Sequence, residues 1–367
     1  MSNRRIIDSF NEWRQTGEPM VMATVFATEG STYSKAGHRI IIATNGDYQG
    51  LVSGGCVEGD LAAHAHMVFI TGEARTITYD LRQDEDEIWG MGVGCDGVLK
   101  ILLQRLDADS DYEPFRTLAE RQTAANGGGT CVTVIESEDS ELLPGATWID
   151  WGDDSLAWQM PEDRMSAIRN QSGTLGKKSK PRLLRQPSRG GAFTALHVPI
   201  QPIPRLLILG AGPDAAPLLA MANEVGWFVT VIDHRQARID DPAFRSAEHR
   251  LCIPSEEVPS AVDLDQFSAA VIMSHNLEAD GLYLTHLSTH QSTKARIRYI
   301  GLLGPKKRRD RLVKARDLGD TAFTKRLHGP AGIPIGADSP ESIALSILAD
   351  IHQHLDQAAE DQHGESD

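Results

Sequence analysis

The stretch RLLILGAGPDAAPLLAMANEVGWFVTVIDHR, residues 205–235, decides the fold of the second half of the chain. It begins with an apolar run, passes through a glycine-containing turn and a helical pattern, and ends with a second apolar run. This succession of strand, turn, helix and strand is typical of a parallel sheet whose strands are connected by helices. The later segments LCIP, SAAVIMSH and RIRYIGLLG add further strands. We therefore predict a Rossmann-like doubly wound parallel sheet.

The turn in this stretch has the pattern of a dinucleotide-binding fingerprint. Gly210 and Gly212 lie between the strand and the helix, and Ala215 takes the third small position. Asp233 ends the next strand about 20 residues further on, where such folds place an acid that binds a ribose hydroxyl. Gly210, Gly212 and Asp233 thus predict a site for a nucleotide or NAD(P). The alternative is a turn whose ligand site has been lost.

Polar residues follow two later strands at the same edge of the sheet, where doubly wound folds bind their ligands. His275 is predicted to contact a ligand or to act as an acid or base; alternatively, it only caps the next helix. Lys306, Lys307 and Arg308 fall at a predicted helix start, where an anion is favoured. These bases could equally form a solvated face.

In the first half of the chain, the segment LVSGGCVEGDL, residues 51–61, leads from a strand pattern into a helical one. Gly54 and Gly55 would let the backbone approach a ligand closely. Cys56, near the helix start, would be favoured as a thiolate by the helix dipole, while the nearby charge of Glu58 opposes that shift. A buried cysteine that only packs is the alternative.

Two other loops resemble sites for anions or ligands. Gly30, Ser31 and Thr32 follow the first strand and offer amides and hydroxyls that could bind a phosphate or oxyanion, although ordinary turns use the same residues. The segment GMGVGCDG, residues 90–97, contains Cys95 and has a similar layout to the loop around Cys56.

Composition limits the class of protein. The chain has 367 residues, 41% of them hydrophobic, and a formal net charge of −15, which argues against nucleic acid as a partner. The four cysteines form no CxxC pair, and no apolar run suits a signal peptide or a membrane span. We expect a cytoplasmic protein with reduced thiols.

The pattern divides the chain into segments. Residues 1–150 are predicted to form a mixed α/β domain, and residues 204–355 the doubly wound domain. Residues 151–203 are rich in Gly, Ser, Pro and Lys in their second half and are interpreted as a linker or poorly assigned connection. Residues 356–367 form a short acidic tail.

Taken together, these motifs resemble the XdhC/CoxI family, accessory proteins of xanthine dehydrogenase and related molybdenum hydroxylases. The resemblance covers most of residues 20–105 and 204–352. The segments that carry it, in family order, are GSTYSKAGHR, GLVSGGCVEGDL, GMGVGCDG, LILGAGPDAAPL, VIDHR, MSHNLEAD, YIGLLGPKKRR and LHGPAGIPIGADSPESIALSILADI.

The resemblance implies a two-domain protein that binds the molybdenum cofactor (molybdopterin), supports its sulfuration with a cysteine desulfurase and delivers it to a xanthine dehydrogenase-like molybdenum hydroxylase. The glycine loops would hold the pterin tail, and Cys56 or Cys95 would face the molybdenum or a transient sulfur. On this interpretation the protein is a chaperone rather than a catalyst, and we expect a homodimer. The alternative is an NAD(P)-dependent oxidoreductase, which the Rossmann-like fingerprint alone would suggest.

Overall fold

The computed structural model describes residues 3–55, 57–82, 97–152, 154–172, 180–188, 190–289, 297–319 and 323–360. The chain divides into two compact units, Met1–Pro202 and Ile203–Asp367. Each unit is built around its own sheets and helices.

The first sheet belongs to the first unit and is antiparallel, with the strand order β3-β2-β1-β5-β4. Its central strand β1 is apolar along most of its length because both faces are covered. Helix α2 covers one face, on which Leu61 packs against Val21. Phe26 packs on the other face against residues of the second sheet. The elements are α1 (Asn3–Trp13), β1 (Met20–Gly30), β2 (Arg39–Ala43), β3 (Tyr48–Gln49), α2 (Glu58–Thr71), β4 (Arg75–Asp80) and β5 (Gly97–Leu106).

The second sheet has the strand order β8-β7-β6-β10-β9 and is also antiparallel. Trp148 and Phe193, both almost fully buried, are central to its core. Its elements are α3 (Phe115–Thr123), β6 (Gly129–Ser137), β7 (Thr147–Asp150), β8 (Ser155–Trp158), α4 (Glu162–Ser172), β9 (Arg182–Gln186) and β10 (Phe193–Ile200).

This second sheet corrects the linker interpretation of residues 151–203. The predicted boundary at residue 150 falls inside the sheet, since β6 and β7 precede it and the other strands follow. Strand β10 pairs with β6 across that boundary, with Phe193 opposite Ser137. Much of the Gly- and Lys-rich sequence that suggested a linker, residues 173–179, lies outside the described residues. The biased composition of this segment therefore led to a prediction of a linker, although strands such as β10 lie in it and pair with strands distant in sequence.

The second unit contains a parallel sheet with the strand order β13-β12-β11-β14-β15-β16. Helices cover both of its faces, as the sequence predicts for a doubly wound fold. Its elements are β11 (Arg205–Leu209), α5 (Ala215–Glu224), β12 (Phe228–Asp233), α6 (Gln236–Ile239), β13 (His249–Cys252), α7 (Val258–Ala261), β14 (Ala269–Ile272), α8 (Leu277–Thr289), β15 (Tyr299–Leu302), α9 (Lys306–Ala315), β16 (Leu327–His328) and α10 (Pro340–Glu360).

The two faces of this sheet have separate cores. On one face, Ile208 of β11 packs with Leu218 of α5 and Ile347 of α10. On the other face, Leu209 packs with residues of α7, α8 and α9, including Leu284. The inner strands β11, β12, β14 and β15 are buried on both sides, which explains why their sequences are nearly continuous apolar runs rather than alternating ones. The predicted fold class, a mixed α/β first half and a Rossmann-like second half, is confirmed.

The last helix begins as its sequence indicates. The Ser342 amide donates a hydrogen bond to Ser339 Oγ (3.2 Å), which is the interaction of an N-terminal cap. The helix continues to Glu360, beyond the predicted start of the acidic tail at residue 356. Among the helices of the described residues, none has the length and apolar character needed to cross a bilayer.

His197 on β10 makes stability sensitive to acid. The residue is 2% exposed, and its Nε2 lies 3.1 Å from Nε2 of Gln186. Burial lowers the pKa of His197 to about 4, so the ring is neutral in the folded protein and must be protonated against that burial at low pH.

We expect the free energy of unfolding to fall as the pH drops from about 6.5, the pKa of an unfolded histidine, toward 4, by up to about 3 kcal/mol. Because the folded pKa is depressed, this contribution is present above the unfolded pKa and lost below it. Urea titrations across this pH range should show a smaller loss in the variant His197→Gln. An equal loss in both proteins would assign the acid sensitivity to other groups.

Candidate functional site

The Ser-Gly-Gly segment before α2 forms a sharply turned loop. Gly54 and Gly55 are exposed, with φ angles of +83° and +112°, which residues with a Cβ rarely adopt. A Cβ at Gly55 would meet nothing within 4 Å. Backbone conformation, rather than lack of space, therefore accounts for the glycine at this position.

The carboxylate of Glu58 holds this loop in shape. Its Oε1 accepts hydrogen bonds from the amides of Val52 (2.7 Å) and Ser53 (2.8 Å). Its Oε2 accepts from the Ser53 hydroxyl (2.6 Å) and from the amides of Gly55 (3.0 Å) and Val57 (3.2 Å). The loop thus wraps around one charged group of the following helix.

Glu58 is ionised despite its burial. Its residue is 0% exposed; burial by itself disfavours the charge, but hydrogen bonds from Ser53 and Val52 outweigh it, so the pKa of Glu58 lies below its usual value. Together with Gly54, Gly55 and Cys56, Glu58 is predicted to bind the cofactor. In the structure both of its oxygens face the loop and accept hydrogen bonds from it, so its predicted contact with a cofactor stays a prediction.

The loop predicted from Gly30, Ser31 and Thr32 lies beside the first one. Ser34 Oγ donates to the carbonyl of Leu51 (3.2 Å), which joins the two loops. Gly30 pairs with Gly97 at the start of β5. The structure therefore brings the predicted residues of these two loops together at one end of the first sheet.

Close packing at Gly97 tightens this end of the sheet. A Cβ there would come 2.5 Å from Thr32 Cγ2 and 2.7 Å from the carbonyl oxygens of Glu29 and Ser31. Cys56 and Cys95, with most of the segment at residues 90–97, lie outside the described residues. Their predicted roles as ligands of molybdenum or sulfur stay predictions.

In the second unit, the glycine turn after β11 packs directly against the residues that follow β14. A Cβ at Gly210 would lie 2.5 Å from the carbonyl oxygen of Met273 and 2.6 Å from the amide nitrogen of Ser274. Gly210, with φ of +121°, is therefore required for the approach of two loops. At Gly212 a Cβ would meet the side chain of Asp214 at 2.4 Å.

Asp233 lies where the fingerprint predicts, but its carboxylate is already occupied. It accepts from the Ala211 amide (2.8 Å) and from the amide, Nε and Nη2 of Arg235 (2.7 to 2.9 Å). Burial opposes its charge, but the bonds from Arg235 and Ala211 lower the pKa of Asp233 to about 2. Four donors fill the acceptor sites of a carboxylate. A ribose hydroxyl would have to displace one of them.

His275 connects the two strand-end loops. Its Nε2 lies 2.9 Å from Oδ2 of Asp214, its side chain is 60% exposed, and its φ of +58° is unusual for a residue other than glycine. His275 therefore stands at the predicted edge of the sheet and faces solvent. Asp214, two residues after the second glycine of the fingerprint, was not among the predicted site residues.

The three basic residues predicted at the start of α9 differ in their surroundings. Arg308 Nη2 donates to Oδ2 of the buried Asp280 (2.5 Å), which also accepts from the Ser274 hydroxyl. Lys306 and Lys307 are exposed at the start of α9. Cations at a helix N-terminus oppose the helix dipole, so an anion bound there would relieve this repulsion.

Tyr283 lies near the carboxylates of Asp233 and Asp280 and was not among the predicted site residues. Its hydroxyl is buried and has no hydrogen-bond partner in the described residues. Burial and then the charges of Asp233 and Asp280 raise its pKa to about 12, so it remains a proton donor. An unpaired buried donor is a group that a bound water or ligand would satisfy. In the sequence it looks like an ordinary apolar helix position.

The chain belongs to the XdhC and CoxI family. The family's model matches residues 13–80, and the model of the XdhC Rossmann domain matches residues 206–351. Over 338 residues the chain is 30% identical to a probable xanthine dehydrogenase subunit of Bacillus subtilis (strain 168), with 92% of this chain and 93% of that protein covered.

Two other relatives extend the comparison. The molybdenum cofactor insertion chaperone PaoD of Escherichia coli (strain K12) is 22% identical over 352 residues, which cover 95% of this chain and 87% of that protein. A crystal structure described as a xanthine dehydrogenase from Bacillus halodurans matches with a TM-score of 0.76 and 27% identity, covering 98% of this chain and 96% of that one. The similarity therefore extends over both units.

Replacing Glu58 by Gln should loosen the loop before α2 while the fold persists. The amide would present an NH₂ group to backbone donors and leave at least one of them unpaired, at a cost of about 1–3 kcal/mol in unfolding free energy. Chemical denaturation measures this loss. Glu73→Gln, at an exposed position after the same helix, is the matched control and should change stability by less than about 0.5 kcal/mol. Equal stability of Glu58→Gln and wild type would contradict the role given to this carboxylate.

Proposed function

We propose that this protein is a maturation factor that binds the molybdenum cofactor and delivers it to a molybdenum hydroxylase of the xanthine dehydrogenase type. The PaoD comparison, which spans nearly the whole chain, supports this function. The proposal includes sulfuration of the bound cofactor with sulfur from a cysteine desulfurase. Cofactor and hydroxylase are then cargo and client, and the protein itself acts as a chaperone.

The observation that carries the proposal is the loop organised by Glu58. Gly54 and Gly55 expose backbone to solvent in a fixed conformation directly before Cys56 in the sequence. Glycines allow close approach of a planar or anionic ligand, and sulfur is a suitable donor for a soft metal centre. The adjoining loop of Gly30, Ser31 and Thr32 supplies further polar groups at the same end of the sheet.

The second unit offers an anion site of its own at the start of α9. Lys306 and Lys307 would bind phosphate there, whether it belongs to the tail of the cofactor or to a separate nucleotide. Gly212 would let the first turn approach a phosphate through its backbone, but the neighbouring Asp214 carboxylate, which fills the space beside it, would oppose an anion there. Arg308 is held by Asp280, so its contribution would be to position the helix start.

The filled carboxylate of Asp233 is an argument against the alternative function, an NAD(P)-dependent oxidoreductase. A ribose hydroxyl would compete with both Arg235 and the Ala211 amide.

The Bacillus subtilis relative is named as part of the dehydrogenase itself. A permanent component would remain bound to the hydroxylase at equal stoichiometry through size-exclusion chromatography, whereas a chaperone would leave after delivery.

The central test replaces Cys56 by Ser in the full chain. We expect the variant to fold but to retain about tenfold less molybdenum cofactor, equivalent to about 1.4 kcal/mol, because the sulfur donor is lost. Co-expressed hydroxylase should also be less active, and Cys95→Ser should show a weaker form of the same defect. The measurements are molybdenum content by mass spectrometry and client activity.

The control is Cys252→Ser, because Cys252 is an exposed free cysteine on β13. It should match wild type in both measurements. If Cys56→Ser also matches wild type, the thiol only packs and the cargo must be held by other groups. Release of a nicotinamide instead of a pterin from purified wild type would support the oxidoreductase.

A second test reverses the charge at the start of α9. The double variant Lys306→Glu/Lys307→Glu should bind free cofactor at least about tenfold more weakly, because two negative charges would repel a phosphate. Lys314→Glu, an exposed position at the other end of the helix, should have a smaller effect. Equilibrium binding to isolated protein measures both. Unchanged cofactor affinity with lost client activation would instead place these lysines at the client interface.

A further inference from the structure

A cluster of potential metal ligands lies between the edge of the parallel sheet and the last helix. His328 in β16 and Asp350 and His354 on α10 each offer a ligand atom, and these atoms lie within 4.8 Å of one another. Asp350 and His354 are one helical turn apart, so their side chains share a face of α10. These residues belong to neither of the candidate sites described above.

Asp350 is a buried carboxylate held by neutral donors. It is 6% exposed, and its Oδ2 accepts from the Tyr299 hydroxyl (2.8 Å) and the Gly332 amide (3.1 Å). Oδ1 lies 3.2 Å from Nδ1 of His354, which is charged only when protonated. A buried carboxylate is costly without a compensating positive charge. A cation beside Oδ1 would supply it.

His328 provides a second, independent indication of a ligand. Its Nε2 is buried and has no hydrogen-bond partner in the described residues. The ring is stacked on Tyr299, with centroids 4.4 Å apart and planes 11° apart. The ring of His354 is steeply inclined to it, with centroids 4.3 Å apart and planes 68° apart. Stacking fixes the orientation of the ring while one nitrogen is left unsatisfied, which is unusual in a protein interior.

A contact with the backbone of its own helix fixes the ring of His354. Its Nδ1 lies 2.8 Å from the backbone carbonyl oxygen of Asp350. A proton on Nδ1 donated to that carbonyl would leave Nε2 with a free lone pair, the arrangement in which a second contact sets the tautomer of a ligating histidine. Tyr299 holds Asp350 in a comparable way through its hydroxyl.

Packing keeps these groups in place. Tyr299 lies over Gly301, where a Cβ would come 2.9 Å from Tyr299 Cε1 and 3.0 Å from the Cβ of Ala331. A larger residue at position 301 would push the tyrosine away from Asp350. The cluster thus rests on a supported arrangement rather than on flexible surface side chains.

We propose that His328, Asp350 and His354 bind a divalent transition metal ion of the zinc class. Two imidazoles and one carboxylate form a donor set that favours zinc and similar ions over magnesium or calcium. Three protein ligands leave a tetrahedral ion one position for water or a small anion. Because the ligands come from β16 and α10, the ion would fasten the last helix to the edge of the sheet.

The test uses the full chain after treatment with a chelator. Titration with Zn²⁺ should show one ion bound at this site and a rise in melting temperature, because binding stabilises the folded state. Co²⁺ at the same site should give visible absorption bands without a thiolate-to-metal charge-transfer band. That spectral difference separates this site from any metal held by the cysteines of the proposed cofactor site.

The variant His354→Ala should bind Zn²⁺ at least tenfold more weakly and lose the Co²⁺ bands. His352→Ala is the matched control, because His352 is on the same helix but its ring lies beside that of Trp227, with centroids 6.2 Å apart. This variant should bind Zn²⁺ like wild type. The proposal is overturned if chelator-treated wild type, checked for folding by circular dichroism, takes up neither ion. It is also overturned if His354→Ala binds Zn²⁺ as tightly as wild type. In either case the cluster is a hydrogen-bonded and stacked core.

Discussion

A buried carboxylate that collects backbone N–H groups is the interaction on which both candidate sites depend. In the first unit, Glu58 gathers the amides of the loop before α2. In the second, Asp233 fastens the glycine turn through the Ala211 amide while Arg235 balances its charge. Each carboxylate replaces hydrogen bonds that the loop amides would otherwise seek from water. The exposed parts of the loops are thereby held in one conformation.

The same arrangement limits what each acid can do. A carboxylate whose acceptor sites are filled by its own chain has little capacity left for a ligand. Asp233 and Asp280 are therefore parts of the scaffold, and Arg308 is committed to Asp280. Groups that remain open to solvent, such as His275 and Lys306, are better placed to meet an incoming molecule.

Local patterns in the sequence were sufficient for the parallel sheet except for its short edge strand β16, which was not predicted. The succession of strand, glycine turn and helix after Arg205 is encoded in neighbouring residues, and so is the cap at Ser339. The second sheet could not be predicted in this way, because β6 and β10 pair across a segment of unusual composition. Pairing between distant strands leaves little trace in a local window.

In the candidate sites, too, some residues could be predicted from local sequence patterns and others could not. Glycines at positions 54, 55 and 210 were identified because special backbone geometry restricts the residue type. The partners Arg235, Asp214 and Tyr283 were missed, since an ordinary side chain reveals its contact only when the loops are folded together. Glu58 was noticed for its charge near a cysteine, yet its role as an acceptor for amides depends on the path of the loop.

The second sheet also determines where the chain can be cut. A fragment ending at residue 150 would retain β6 and β7 but lack β10, the neighbour that covers one side of β6. An apolar strand with unpaired backbone groups is a template for association with other chains. Such a fragment would tend to aggregate even if the first sheet formed correctly. Extending it to Pro202 keeps that edge paired, so expression of the first unit alone should use the later end point.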